Sequence, residues 1–208
     1  MIRWLLLAVC LLLGAAPAHA QATIKLSQQV FSGTAISAAF AVPATYATVQ
    51  LDCFGLTTDS TDANGYVLIQ IGTGGGPTYD TTPADYEWAA AYAYDGTALS
   101  PTTTQAVLAV QIMGLVGGVV IGHEPFQAAG AANDSFTITF FNVNSSSLRK
   151  VYNWSGYEYF GKSGIGYNIT NAGGGTFTAN TAALTGLLIT SNGTDLLETG
   201  TCTLYGIL

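Results

Sequence analysis

From residue 21 onward the chain shows no helical periodicity. Short runs rich in Val, Ile, Thr, Tyr and Phe follow one another instead, separated by Gly, Asn, Asp and Pro. That alternation of strand formers and breakers confines the chain to an all-β fold. The runs predict strands over 22–30, 35–40, 46–56, 66–72, 86–94, 105–113, 135–143, 150–154, 183–191 and 199–208. The breakers between them read "TTDSTDANG", "GTGGGP", "DGTALSP", "GAAND", "NAGGG" and "SNGTD". In "SFTITFFNV", Phe136, Ile138 and Phe140 alternate with Thr137 and Thr139, core side against solvent side. In "YVLIQIG", Val67, Ile69 and Ile71 face one way, and Tyr66, Leu68 and Gln70 the other. The run "LVGGVVIG" carries a glycine pair and predicts a bend at Gly117-Gly118. Many short strands at this spacing point to an antiparallel sandwich or barrel. No charge run or composition break divides residues 21–208, so a single domain is expected there.

Composition excludes several classes. Hydrophobic residues make up 49% of the chain and charged residues only 8%, whereas disordered chains are poor in the first and rich in the second. Net charge is −7, and the cations are Arg3, Lys25, Arg149, Lys150 and Lys162, with a single adjacent pair. Nucleic-acid binding needs clustered cations to displace phosphate counterions, so it is set aside.

The first 20 residues, "MIRWLLLAVCLLLGAAPAHA", read as a signal peptide. Arg3 supplies the positive start, Trp4 to Leu13 the apolar stretch, and Ala18-His19-Ala20 the cleavage site. The apolar stretch is half of the roughly 20 residues a spanning helix needs, so no stable membrane span is expected once it is cleaved. An uncleaved hydrophobic leader helix is the other reading. Without the leader two cysteines remain, Cys53 and Cys202. Alternation puts Cys53 on one face with Val49 and Leu51, and Cys202 with Leu204. Both thiols therefore point inward, as a disulfide or as two buried free thiols; an oxidising compartment favours the bridge.

The stretch "DYEWAAAYAYDG" sets Tyr86, Trp88, Tyr92 and Tyr94 on one strand face, opposite Ala89, Ala91 and Ala93. Such a stripe is either a stacking platform for sugar rings or core filling. Because one face of a sandwich strand must be core, Trp88 and one tyrosine are expected inside, with Tyr92 and Tyr94 left at the rim. A second patch, "VYNWSGYEYFG", carries Tyr152, Trp154, Tyr157, Tyr159 and Phe160 in a glycine-punctuated stretch. Loops of that composition are contact surfaces, and this patch is the preferred contact site.

Catalytic signals are weak. His123 in "IGHEPF" has no G-x-S-x-G beside it and reads as a loop residue. Asp85 and Glu87, with Asp80 close by, offer carboxylates on one strand face for a polysaccharide hydrolase or lyase, without diagnostic spacing. Asp59, Asp62 and Asn64 in "DSTDANG" form an oxygen-rich turn that departs from the calcium-loop pattern and matches what turns prefer anyway. No other cofactor is expected.

The ending "TGTCTLYGIL", with "ALTGLLITSNGTDLLE" before it, resembles a widespread family of tailed-bacteriophage β-sandwich proteins that serve as tail, tail-fibre or other virion structural parts. Gly200, Thr203, Leu204, Tyr205, Gly206 and Ile207 carry the likeness, with Cys202 at a usually aromatic position. At the front, Val42, Pro43, Thr45 and Tyr46 in "VPATY" match its opening pattern. The resemblance implies a jelly-roll-like sandwich, no enzyme activity, and a role in a particle or in host attachment. The implied partners are virion or self-assembly subunits, a homo-oligomer among them, and surface polysaccharide. The leader departs from that family and points to an alternative: an exported adhesin or carbohydrate-binding module, secreted, periplasmic or on the cell surface.

Overall fold

The computed structural model describes residues 22–58, 66–94, 100–104, 119–123, 134–162, 165–191 and 196–208. The leader, the turn with Asp59, Asp62 and Asn64, the expected strand over 105–113 and the Gly117-Gly118 pair lie outside the described residues. The strands run in chain order as β1 (Thr23–Val30), β2 (Ser37–Ala41), β3 (Thr48–Thr58), β4 (Tyr66–Thr73), β5 (Thr78–Tyr79), β6 (Tyr86–Tyr94) and β7 (Ser100–Thr104). They continue as β8 (Val119–His123), β9 (Asp134–Phe141), β10 (Lys150–Lys162), β11 (Ile165–Phe177), β12 (Leu184–Ser191) and β13 (Leu197–Ile207). A single 3₁₀ turn, Pro83–Asp85, interrupts them among the described residues.

Two antiparallel sheets result. The larger has eight strands in the order β1-β13-β3-β9-β10-β11-β6-β7; the smaller runs β2-β12-β4-β5, with β8 also on β4. One hydrophobic cluster draws on both sheets, with Leu51, Ile138, Phe140, Tyr152 and Leu204 from the larger and Phe40, Ile69, Ile71, Leu187 and Ile189 from the smaller. That is the two-layer arrangement of a β-sandwich, in which alternate residues of each inner face interdigitate. The alternation expected of "SFTITFFNV" holds: Phe136, Ile138 and Phe140 are buried, and Thr137 and Thr139 are not. In β4 both faces are covered, since Leu68 and Gln70 are buried along with Val67, Ile69 and Ile71.

Cys53 and Cys202 stand directly opposite each other on β3 and β13. Their Cα atoms are 4.1 Å apart and they form a disulfide. Both residues are fully buried.

Three expectations are corrected here. His123 is not a loop residue but the last residue of β8, opposite Tyr66. The "VYNWSGYEYFG" stretch does not leave the sheet after the strand expected over 150–154 but runs on as most of β10, a 13-residue strand. The "NAGGG" segment, expected to break the chain, lies inside β11, which is hydrogen-bonded to β10 on one side and β6 on the other. The physical reason is close approach. Gly173 faces Trp154 across the ladder and Gly175 faces Tyr152, and the two aromatic rings lie over the glycines. A Cβ at Gly173 would stand 2.6 Å from the Ala89 carbonyl oxygen, and one at Gly175 would stand 2.7 Å from the Tyr152 hydroxyl. Glycine in a strand interior marks such a site.

Buried polar groups in this core are mostly satisfied. The Tyr86 hydroxyl donates to the Asp80 carbonyl at 2.9 Å and accepts from the Ile71 amide at 3.1 Å, tying β6 to β4. The Tyr152 hydroxyl donates to the Glu87 carbonyl at 3.1 Å. Burial pushes both phenols well above the usual tyrosine range. Phe177 packs on Tyr86 with ring centres 5.2 Å apart, within the range of favourable aromatic pairs.

Candidate functional site

The outer face of the eight-stranded sheet is built largely from small polar side chains. Strand register aligns them in rows that cross the strands. In one row Val30 lies opposite Thr201 and Thr201 opposite Phe54; farther along, Ser135 lies opposite Tyr157 and Tyr157 opposite Thr170. The next row places Asp52 opposite Thr137 and Thr137 opposite Ser155.

Phe54 is 61% exposed and Tyr157 45% exposed. Phe54 faces outward because Cys53 faces inward, and the pleat alternates. Just past it the register shifts against both neighbouring strands. Gly55 and Gly200 take positive φ values there, 63° and 106°, a region glycine enters without steric cost. A Cβ on Gly200 would come within 2.7 Å of the Gly55 carbonyl oxygen. The bulge is held by the Gly55 amide, which donates to Ser135 Oγ at 3.2 Å.

Between the two rings lies a shallow cleft of about 280 Å³, whose lining includes Phe54, Ser135, Thr137, Ser155, Tyr157 and Thr170. Its walls are aromatic and its floor carries hydroxyls. Among the described residues no lining side chain carries a charge. Asp52 borders it, and its carboxylate accepts a hydrogen bond from Gln50 Nε2 at 2.9 Å. Such a surface can stack on a flat apolar face and exchange hydrogen bonds with hydroxyls at the same time.

The expected contact patch is divided by the strand that carries it. Tyr152 and Trp154 are 0% and 4% exposed, so they belong to the core and are withdrawn as contact residues. β10 alternates, and Tyr157 comes out on the solvent side with Val151 and Ser155. Tyr159 and Phe160 lie on β10, and Tyr92 and Tyr94 on β6, with side chains outside the described residues. The stripe on β6 begins in the core, where Tyr86 and Trp88 are both buried. Phe54 was not singled out from the sequence. The signal for it was there, since an inward Cys53 leaves a large apolar neighbour with nowhere to go but outward.

Asp85 and Glu87 do not share a strand face. Asp85 closes the 3₁₀ turn before β6, whereas Glu87 is exposed on the strand itself. Partial burial raises the Asp85 pKa, as do the charge of Asp80 and a hydrogen bond shared with it, while a hydrogen bond from Thr82 acts the other way. Among the described residues no group of three or more His, Cys, Asp or Glu is gathered to hold a metal ion. No protein-family model, curated protein or solved structure matches the chain.

Proposed function

We propose that this chain is a non-enzymatic structural or attachment protein of the tailed-phage virion type, using the outer face of its large sheet to contact a surface glycan or a neighbouring subunit. The observation that carries the reading is the cleft between Phe54 and Tyr157, where two exposed rings flank a floor of hydroxyls. An exposed aromatic pair of this kind marks a contact surface. The jelly-roll topology implied by the C-terminal motif belongs to the same proposal. It is supported by the way the chain passes between the two sheets from β1 to β2, β2 to β3, β3 to β4, β11 to β12 and β12 to β13.

The second reading, an exported adhesin or carbohydrate-binding module, is favoured by the buried Cys53–Cys202 disulfide, since such bridges persist in oxidising compartments. Both readings place the contact at the same cleft. They are tested together by measuring retention of the purified protein on whole bacterial cells and on purified particles. Phe54→Ala and Tyr157→Ala are expected to abolish retention without lowering Tm, because both side chains are solvent-exposed. Undiminished retention of the double variant on both would sink the assignment of this face. Antibody labelling of particles against culture supernatant then separates the virion role from the exported one.

A further inference from the structure

The two rings of the cleft are set across the strands, not along one of them. Phe54 is on β3 and Tyr157 on β10, with β9 between. Two strand spacings of about 4.8 Å put their attachment points roughly 10 Å apart, with Ser135 of β9 between them in the row. That separation is close to the length of one disaccharide unit in an extended β-1,4-linked polysaccharide. In such a chain alternate sugars present the same apolar ring face in the same direction, and the intervening sugar is turned over.

Resting on the attachment reading, we propose that the cleft binds a neutral, extended polysaccharide in mid-chain, running perpendicular to the strands, with Phe54 and Tyr157 stacked on sugars two apart. The intervening sugar then lies over Ser135, with the hydroxyls of Thr137 and Ser155 in the adjoining row, and Thr170 lies beyond Tyr157 under the sugar that follows. Hydroxyls both donate and accept, as do those of a sugar, so the floor matches a ligand that carries no charge. Three observations select a neutral glycan over an anionic one. Among the described residues no lining residue carries a charge, Asp52 stands in the next row opposite Thr137, and the whole chain bears a net charge of −7. A polyanion would meet repulsion with no cation among the described residues of the cleft to offset it. Mid-chain binding follows from the row itself, which continues past Phe54 through Thr201 to Val30, 71% exposed. The ligand is therefore not capped at that end.

The test is calorimetric titration of the full chain with cello-, xylo- and manno-hexaose, and with a β-1,4-mannuronate hexamer as the anionic probe. Saturable binding of at least one neutral hexasaccharide is expected, far weaker for its disaccharide and unchanged between low and high salt. Each of Phe54→Ala and Tyr157→Ala is expected to weaken it by about tenfold or more, as for a central contact residue, while Tyr157→Phe retains most of the affinity. If none of the neutral hexasaccharides binds but wild-type protein still adheres to cells through this face, the neutral-chain proposal falls and the attachment reading survives. Preference for the mannuronate hexamer has the same consequence. If instead the two alanine variants dissociate an oligomer seen by light scattering and no glycan binds, the face is a contact between copies of the chain and the proposal is overturned.

Discussion

Lys150 is fully buried, an unusual place for a lysine unless its ammonium is fully partnered. From the sequence it was simply half of the one cationic pair. In the fold its Nζ donates to the carbonyl oxygens of Ser145 at 2.7 Å, Leu148 at 2.9 Å and Thr181 at 2.9 Å. All three protons are engaged, and they tie the turn before β10 to the segment before β12. Burial lowers the lysine's pKa, so desolvation opposes the carbonyl contacts. Lys150→Met keeps the stem and relieves that penalty, but it leaves three carbonyls without their donor. Losing a hydrogen bond at a buried acceptor costs roughly 1 kcal/mol or more, so three losses outweigh one relieved desolvation. The expected result is a loss of about 2 kcal/mol in urea denaturation, with faster amide exchange over 145–149. A change within about 0.5 kcal/mol, the range of ordinary surface substitutions, would show that water replaces the ammonium at no cost.

β11 owes its place to what it lacks. Gly175 lies where a Cβ would press on the Glu87 carbonyl and come within 2.7 Å of the Tyr152 hydroxyl. Backbone is on one side and a fully buried ring on the other, so neither can give way cheaply. Gly175→Ala should therefore cost about 3 kcal/mol, the upper part of the range for overpacking. Gly75→Ala, in a turn where a Cβ would meet nothing within 4 Å, should stay within about 0.5 kcal/mol. Equal thermal midpoints for the two variants would refute the close-approach account. The same strand marks the limit of what alternation reveals. β6 was legible to the residue, and β9, β12 and β13 to within two, because period-two burial writes itself into apolar and polar letters. β11 was not legible, because two of its inward positions, Gly173 and Gly175, are glycines whose partners, Trp154 and Tyr152, lie on another strand. For the same reason those two aromatics read as part of a contact patch: nothing local says that a ring will be covered by a distant glycine. Half of the cleft was legible in Tyr157; Phe54 depended on knowing which way Cys53 points.

The largest sheet is assembled from parts of the chain that are far apart. β13 lies between β1 and β3, so its two neighbours come from the opposite end of the sequence. Ladders of that kind close late and slowly, since long loops must be ordered before any contact compensates for them. The Cys53–Cys202 disulfide joins residues 149 apart in sequence, across the same ladder. In the chain-entropy account a loop of this size is worth about 5 kcal/mol, and measured values fall mostly between about 2 and 4. The Cys53→Ala/Cys202→Ala chain is accordingly expected to lose about 3 kcal/mol and to refold from urea more slowly than the oxidised protein. The consequence reaches the candidate site. Phe54 follows Cys53 directly and precedes the bulge at Gly55, so loosening the β3–β13 ladder frees one wall of the cleft while Tyr157, on β10, stays in place. Ligand affinity should therefore fall in the cysteine-free chain even where it remains folded, and by less than in Phe54→Ala, which removes the wall outright. Unchanged stability, refolding rate and affinity in the cysteine-free chain would mean that the ladder closes and positions Phe54 without the bridge.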